Sequence, residues 1–341
     1  LTDNKLRLLF YIPTKNGIDI ISGGSFFDET KSLSSGIVNN VKDFSEFLED
    51  KIYDMMESIE EKKIPEDVYF NISGENIVGK TDFLRYKRSK PNLKIEQEEI
   101  FDVVSKSSKK ALSDFSRSDF MNSKSASFDI INSSIVQTEI DGYEIKNPIG
   151  FQGEDLKIGV FNIFAPIVQL SSIHNISELI GLKSFNIFVA TYSIYETFSE
   201  DGFDGFIFFV EENLTSFCFV KNNTILEIKS FSVGWDIFLE QNYKKENDNV
   251  WIASFEVAIE DMFLKNIQLK KKGFKIYISN PDVKNFVKMF SKFEKTDVKK
   301  IDFLDLDSIK KFNFFKKEQI LKEMTSSICC AISSLNIQDS L

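Results

Sequence analysis

The stretch Ile140-Asp141-Gly142-Tyr143-Glu144-Ile145-Lys146-Asn147-Pro148-Ile149-Gly150-Phe151-Gln152-Gly153 decides how the rest of the chain is read. Asp-Gly between apolar residues is a tight-hairpin signal, because the turn needs left-handed backbone that Asp tolerates and Gly adopts freely. Asn147-Pro148 and Gly150 break the strand pattern again, proline by fixing φ and removing a donor. A second apolar run follows from Leu156 to Val168, interrupted by Gly159 and Pro166. The spacing predicts two strands joined by a rigid, glycine-bearing loop.

Upstream, Lys5–Ile12 and Ile18–Ser25 predict strands about a turn at Pro13–Gly17. Val41, Phe44, Leu48, Ile52, Met55 and Ile59 recur at three and four, which predicts a helix over Val41–Lys63 with Asn40 as its cap. Its other face is acidic and reads as solvated. Strands are expected at Asp67–Ile72 and Ile77–Tyr86, a helix at Glu96–Leu112, a surface loop at Ser113–Ser127 and a strand at Phe128–Val136. Arg85, Lys87, Arg88 and Lys90 form a small basic turn. Its first reading is a solvated turn, its second a contact for an acidic partner.

Downstream, helices are predicted at Ile173–Leu182 and Ser193–Phe198 around a strand at Phe185–Ala190. Three strands follow at Gly205–Val210, Thr215–Val220 and Thr224–Phe231, with Asn222-Asn223 as a turn. Helices at Asp236–Tyr243, Trp251–Lys272 and Val283–Phe290, strands at Phe274–Ser279 and Lys300–Phe303, and a closing helix at Lys317–Leu335 complete the chain. A meander, then a helix, then a strand thus occurs twice, the pattern of a duplicated unit.

Composition narrows the function classes. The 341 residues suffice for two domains or one two-lobed fold. A net charge of −10 argues against general nucleic-acid binding, which calls for a basic surface. Phe is used 35 times, alongside many Ile, Lys and Asn, so aromatic clusters read as compositional bias rather than as stacking platforms. Cys218, Cys329 and Cys330 include an adjacent pair and no CxxC, which fits a reducing compartment and packed, inert thiols. The single histidine, His174, cannot anchor a His-based metal site or triad in the usual way and reads as structural. No apolar run approaches the roughly 20 residues of a membrane span, and no signal peptide opens the chain.

The pattern I-D-G-x-x-I-K-N-P-I-G-x-x-G in Ile140–Gly153 resembles the inserted subdomain of FtsA, the cell-division actin homologue of bacteria. Pro65–Gly74, ending in Ser73-Gly74, is similar to a strand of that family, and Lys31–Val38 to its K-G-x-I loop. The order and spacing of these motifs agree up to about Ser232 and thinly beyond. The resemblance implies an α/β, actin-like (duplicated ribonuclease-H-like) two-lobed fold with a strand-helix-strand-strand subdomain inserted in the first lobe. It implies residues 1–74 as the first lobe with its first strand missing, 75–167 as the insert, 168–200 as the first lobe continued, 201–335 as a second lobe with a shortened upper part, and 336–341 as a tail. A cytoplasmic scaffold is implied that self-associates through the insert loop (Asp141, Gly142, Lys146, Asn147, Pro148, Gly150), contacts division proteins including the tubulin homologue FtsZ, and sits at the inner face of the membrane through partners. The family's amphipathic membrane tether is not visible after the closing helix. No nucleic-acid partner is expected.

An actin-like ATPase holds ATP and Mg²⁺ between glycine-rich loops, because backbone N–H groups must approach phosphate oxygens closely. The family's first loop, D-x-G-T-x-K, is represented by Leu1–Lys5, where Lys5 matches and Thr2 stands at the glycine position. At its second loop, D-I-G-G-G-T-x-D, the chain has Val210-Glu211-Glu212-Asn213-Leu214-Thr215-Ser216-Phe217, and Thr215 alone matches. A carboxylate ~4 Å from a phosphate charge costs on the order of 4 kcal/mol at an effective dielectric of about 20. At the adenosine loop, Ser279-Asn280-Pro281 stands where two glycines are expected. Thr2, Lys5, Asn213, Thr215, Ser279 and Asn280 are thus the vestigial nucleotide positions. No catalytic residue and no metal ligand is identified, no cofactor is expected, and ATP hydrolysis is not. The main expectation is an FtsA-like division scaffold. A PilM-like platform for type IV pilus assembly is the first alternative, and an active ATPase or kinase on the same fold the second.

Overall fold

The computed structural model describes residues 5–34, 36–59, 67–117, 127–200, 202–263, 272–279, 283–294, 300–304, 312–314 and 324–338. In chain order these form β1 (Lys5–Thr14), β2 (Gly17–Phe27), β3 (Leu33–Ser34), β4 (Ile37–Val38), α1 (Val41–Ser58), β5 (Asp67–Ile72), β6 (Val78–Lys87), α2 (Gln97–Ser116), β7 (Phe128–Ile140), β8 (Tyr143–Glu144), β9 (Asp155–Pro166), α3 (Ile167–Leu179), β10 (Ser184–Val189), α4 (Ala190–Phe198), β11 (Gly205–Val210), β12 (Thr215–Lys221), β13 (Thr224–Phe231), α5 (Glu246–Phe263), β14 (Gly273–Ile278), α6 (Lys284–Glu294), β15 (Lys300–Phe303), β16 (Phe312–Phe314) and α7 (Thr325–Gln338).

Local chemistry sets most of the boundaries. Asn40 caps α1, its side-chain oxygen accepting the Asp43 N–H at 3.2 Å, and Phe44, Leu48 and Met55 are buried as the periodicity requires. The helix stops at Ser58, short of the expected Lys63, and positions 60–63 lie outside the described residues. α2 runs on through Ser116, into the expected loop, because Phe115 stacks on Phe164 at 4.4 Å and anchors the last turn. The expected helix at Asp236–Tyr243 is one 3-10 turn, Asp236–Phe238, and α5 begins earlier than expected, at Glu246. α3 begins at Ile167 instead of Ile173, directly after Pro166. Of the closing helix, residues 325–338 are described, and Leu321 lies outside the described residues.

The sheets show how the parts are joined. β1, β2 and β16 form one small sheet, and β5 pairs in parallel with β10 in another. Both lie against α7, where the Tyr11 and Ser334 hydroxyls meet at 2.8 Å. The third sheet has nine strands in the order β15-β14-β11-β12-β13-β6-β9-β7-β8. It fuses the second lobe (β11–β15) with the insert (β6–β9) through a short antiparallel ladder, Glu227↔Lys80 and Ile228↔Gly79. The Thr81 hydroxyl adds a bond to the Ile225 carbonyl at 2.6 Å. The insert, expected as an elaboration of the first lobe, is therefore hydrogen-bonded to the sheet of the second.

One core runs through all three regions, from Leu6, Phe44 and Ile72 through Phe161 and Ile163 to Ile207, Val220 and Ile228. Phe206, Phe208, Phe217, Trp251, Phe255, Phe274, Phe286 and Phe290 fill the second lobe, many in edge-to-face pairs. Such pairs each add roughly 0.5–1.5 kcal/mol beyond burial. The abundant Phe is thus core material, as the composition suggested. Cys218, Cys329 and Cys330 are buried free thiols, and burial raises each, Cys329 to about 12, which keeps them protonated and unreactive. His174 is exposed on α3, 3.3 Å from Glu178 one turn on. No helix among the described residues is long and apolar enough to cross a membrane.

Candidate functional site

In open α/β sheets ligands sit beyond the carboxyl ends of parallel strands, where strand direction or order switches. Ser73, which follows β5, Glu211, which follows β11, and Ser279, which follows β14, stand at such ends here. The Ser73 hydroxyl donates to Glu211 Oε2 at 2.7 Å, across 138 positions of sequence, so first and second lobes touch at this point. Both side chains are buried, Glu211 completely. The Ser279 N–H donates to the Val210 carbonyl at 2.9 Å, and the Trp235 indole N–H donates to the Ser279 hydroxyl at 2.8 Å. Burial pushes the nearby Tyr277 phenol far above its usual range, a hydrogen bond with Thr325 opposing, and both Arg7 and Glu211 act on it electrostatically.

The second phosphate-loop position is filled by the chain itself. Trp235 and Asp236 donate their backbone N–H groups to the Glu211 and Glu212 carbonyls at 2.9 and 3.1 Å. A Cβ on Gly234 would fall 2.1 Å from the Glu212 oxygen, so only glycine permits this approach. The Thr215 hydroxyl, expected to face a phosphate, donates to the Val233 carbonyl at 2.6 Å and accepts from the Trp251 indole at 3.2 Å, inside the second-lobe core. Asn213 is exposed at the loop tip, and Lys5 is half-buried at the start of β1. Thr2 and Asn280 lie outside the described residues. The structure thus brings Ser279, Glu211 and Ser73 together at the strand ends, and turns Thr215 toward Val233 and Trp251 instead. Sequence reasoning noticed Glu211 only as a repulsive charge. Its bond to Ser73 had no local signal, since the partners are remote in sequence.

The insert tip is the second candidate. Asp141, at φ +50°, and Gly142, at φ +85°, make the expected two-residue turn between β7 and β8. The Asp141 carboxylate then accepts the N–H groups of Glu154 and Asp155 at 3.0 and 2.7 Å. Asn147 Oδ1 accepts the Ile149 N–H at 3.0 Å, the buried Pro148 offers its carbonyl to Phe151, and Gly150 N–H reaches the Ile95 carbonyl at 2.9 Å. Of the residues singled out in this loop, Lys146 is the exposed cation, and the others named set the loop's shape. Tyr143, Ile149, Phe151 and Leu93 stand exposed around it, an apolar tip that the motif reading missed.

Three cations of the basic turn, Arg85, Lys87 and Arg88, are paired within the chain. Arg88 is buried, with Nε and Nη2 on the Glu99 carboxylate at 2.8 and 2.9 Å and Nη1 on the Leu93 and Gly153 carbonyls. Arg85 pairs with Asp155, and Lys87 with Glu154. The Arg88 hydrogen bonds, aided by the Tyr86 hydroxyl, hold the Glu99 carboxyl below its ordinary range against the opposing effect of burial. This argues against the acidic-partner reading of the turn.

The mixed α/β architecture, with a large mixed sheet and parallel strand pairs, is that of an actin-like fold, and the comparison with solved structures agrees. No protein-family model and no curated protein matches the chain. The chain is similar to a structure of the PilM-PilN type IV pilus biogenesis complex, with a TM-score of 0.61 and 11% identity over 98% of this chain and 97% of that one. It is also aligned with an actin-like ATPase-fold protein of unknown function from Bacteroides thetaiotaomicron, TM-score 0.39 and 9% identity, covering 94% of this chain and 95% of that one. The whole-chain likeness is thus to a pilus protein, whereas the loop pattern resembles the division protein FtsA. FtsA itself is not shown by these comparisons.

Proposed function

We propose that the chain is an actin-fold assembly platform of the PilM kind, which holds other proteins in place and does not hydrolyse ATP. The observation that carries this reading is the likeness to the PilM-PilN complex structure along nearly the whole of both chains, insert included. The buried carboxylate at the second phosphate-loop position and the inward turn of Thr215 support the absence of ATP chemistry. The test has two arms. Titration of the purified chain with Mg·ATP is expected to give no saturable heat in the micromolar range, and micromolar affinity would sink the non-ATPase half. A tagged chain is expected to retain a PilN-type partner and not FtsZ, and the opposite pattern would replace the pilus reading.

The FtsA-like reading stays second on one observation, the Ile140–Gly153 pattern with its built loop. Both readings include self-association through the insert, with the exposed tip as its surface. Gly142→Val puts a branched side chain at φ +85°, in open space, so the cost is backbone strain of about 1–2 kcal/mol rather than a clash. Gly142→Val and Pro148→Ala are expected to shift the sedimentation profile of the chain toward monomer. Profiles identical to the parent in both variants would remove the loop from the assembly surface.

A further inference from the structure

We propose that the Glu211 carboxylate is a built-in anion that takes the place of a bound ligand and latches the two lobes together through Ser73. This rests on the reading above that no nucleotide spans the cleft. In a two-lobed fold with its ligand site between the lobes, the ligand bridges them, and without it the lobes are free to move about their connections. Here a side chain of the second lobe reaches across to the first. Its acceptor oxygen meets a first-lobe hydroxyl at 2.7 Å, with both partners sealed from water.

The chemistry of the surroundings suits an anion. A fully buried carboxylate is unfavourable unless hydrogen-bonded and faced by positive charge. Ser73 supplies the first. Arg7, on β1 of the first lobe, is a cation of the same neighbourhood: it and Glu211 both act on Tyr277, and Arg7 Nε and Nη1 are shut off from solvent with no hydrogen-bond partner among the described residues. A serine hydroxyl that donates to the acidic oxygen, with a guanidinium in the same neighbourhood, is the kind of group set that would grip a phosphate or carboxylate ligand. The Glu211 backbone is fixed on its own lobe, its N–H on the Leu214 carbonyl at 2.8 Å and its carbonyl on the Trp235 N–H at 2.9 Å. The latch is therefore rigid on the second lobe, and it adds to the other bonds between the lobes, Lys275 Nζ to the Phe198 carbonyl at 2.8 Å and the Tyr195 hydroxyl to the Asn223 carbonyl at 3.1 Å.

The experiment is chemical rescue. Glu211→Ala leaves a carboxylate-sized hollow beside Ser73. The variant is expected to lose roughly 5 °C in Tm and to exchange the amides of residues 73–77 and 211–215 at least about tenfold faster than the parent. Sodium acetate, but not sodium chloride or uncharged acetamide at equal concentration, is expected to restore both. Should that variant not fold, Ser73→Ala removes only the first-lobe hydroxyl and is expected to speed exchange in both segments at once. Exchange unchanged in Ser73→Ala, or rescue by acetamide as good as by acetate, would overturn the proposal. The readout is stability in a given anion, so it is independent of the Mg·ATP titration that tests the proposed function.

Discussion

Arg88→Ala is expected to destabilise the insert by about 3 kcal/mol, the upper end of what hydrogen bonds to a charged group contribute. The side chain of Arg88 is 4% exposed and holds two groups at once, the Glu99 carboxylate on α2 and the carbonyls of Leu93 and Gly153 in the tip loops. Alanine leaves the Leu93 and Gly153 carbonyls without that donor and the half-buried Glu99 carboxylate with the Tyr86 hydroxyl alone of these donors. Arg88→Lys is expected to recover little, because an ammonium cannot present the planar fork that serves carboxylate and carbonyls together. The measurement is amide exchange over residues 88–96 and 141–154, together with the urea midpoint. A pH series separates the ion pair from mere packing. The carboxyl of Glu99 is depressed in the folded chain, so the pair stabilises above the ordinary value of 4.5 and that contribution is lost as pH falls through the lower folded value. The stability gap between parent and Arg88→Ala is therefore expected to narrow on acidification from pH ~7 to pH ~3. A gap constant with pH would show that Arg88 acts by packing alone.

Much of this architecture could be read from the chain because it is written in short-range chemistry. Asp141-Gly142 could only be a hairpin turn. Asn40 ahead of the Val41 periodicity could only start a helix, and the three runs 205–210, 215–220 and 224–231 are the observed β11–β13 within a residue or two. What was not legible depends on partners far away in sequence. Nothing near Thr81 or Gly79 announces that they meet Ile225 and Ile228, so the fusion of insert and second lobe into one sheet was invisible. The basic turn is solvated at Arg85 and Lys87, as its first reading had it, but the burial of Arg88 was not legible because its counter-charge, Glu99, comes from another element. At the cleft the lost glycines were legible, but the replacement was not. Glu211 reads as a misplaced charge until Ser73, from another lobe, is seen to receive it.

That hidden junction carries the last and most severe prediction. Gly79→Val is expected to uncouple the insert from the second lobe and to cost about 3 kcal/mol, at the upper end of overpacking effects. The obstacle is space: a Cβ on Gly79 falls 2.4 Å from Phe161 Cζ and 3.0 Å from Ile228 Cβ. Neither neighbour can give way cheaply. Phe161 is itself backed by Tyr192, stacked at 5.6 Å with 12° between the rings, and Ile228 is the ladder partner of Gly79 on β13. The ladder between the two units is short, so moving β6 outward to make room for a valine breaks the only described hydrogen-bonded strand pairing between the insert and the second lobe. In the parent, the shared sheet should make the two parts unfold together, with Trp235 and Trp251 fluorescence reporting the second lobe and amide exchange over β6 and β9 reporting the insert. In Gly79→Val the exchange transition is expected to move to lower urea than the fluorescence transition. Gly79→Ala, with a single methyl, should do the same by a smaller amount. Coincident transitions at the parent midpoint in the valine variant would mean that β6 does not sit against β13 in solution.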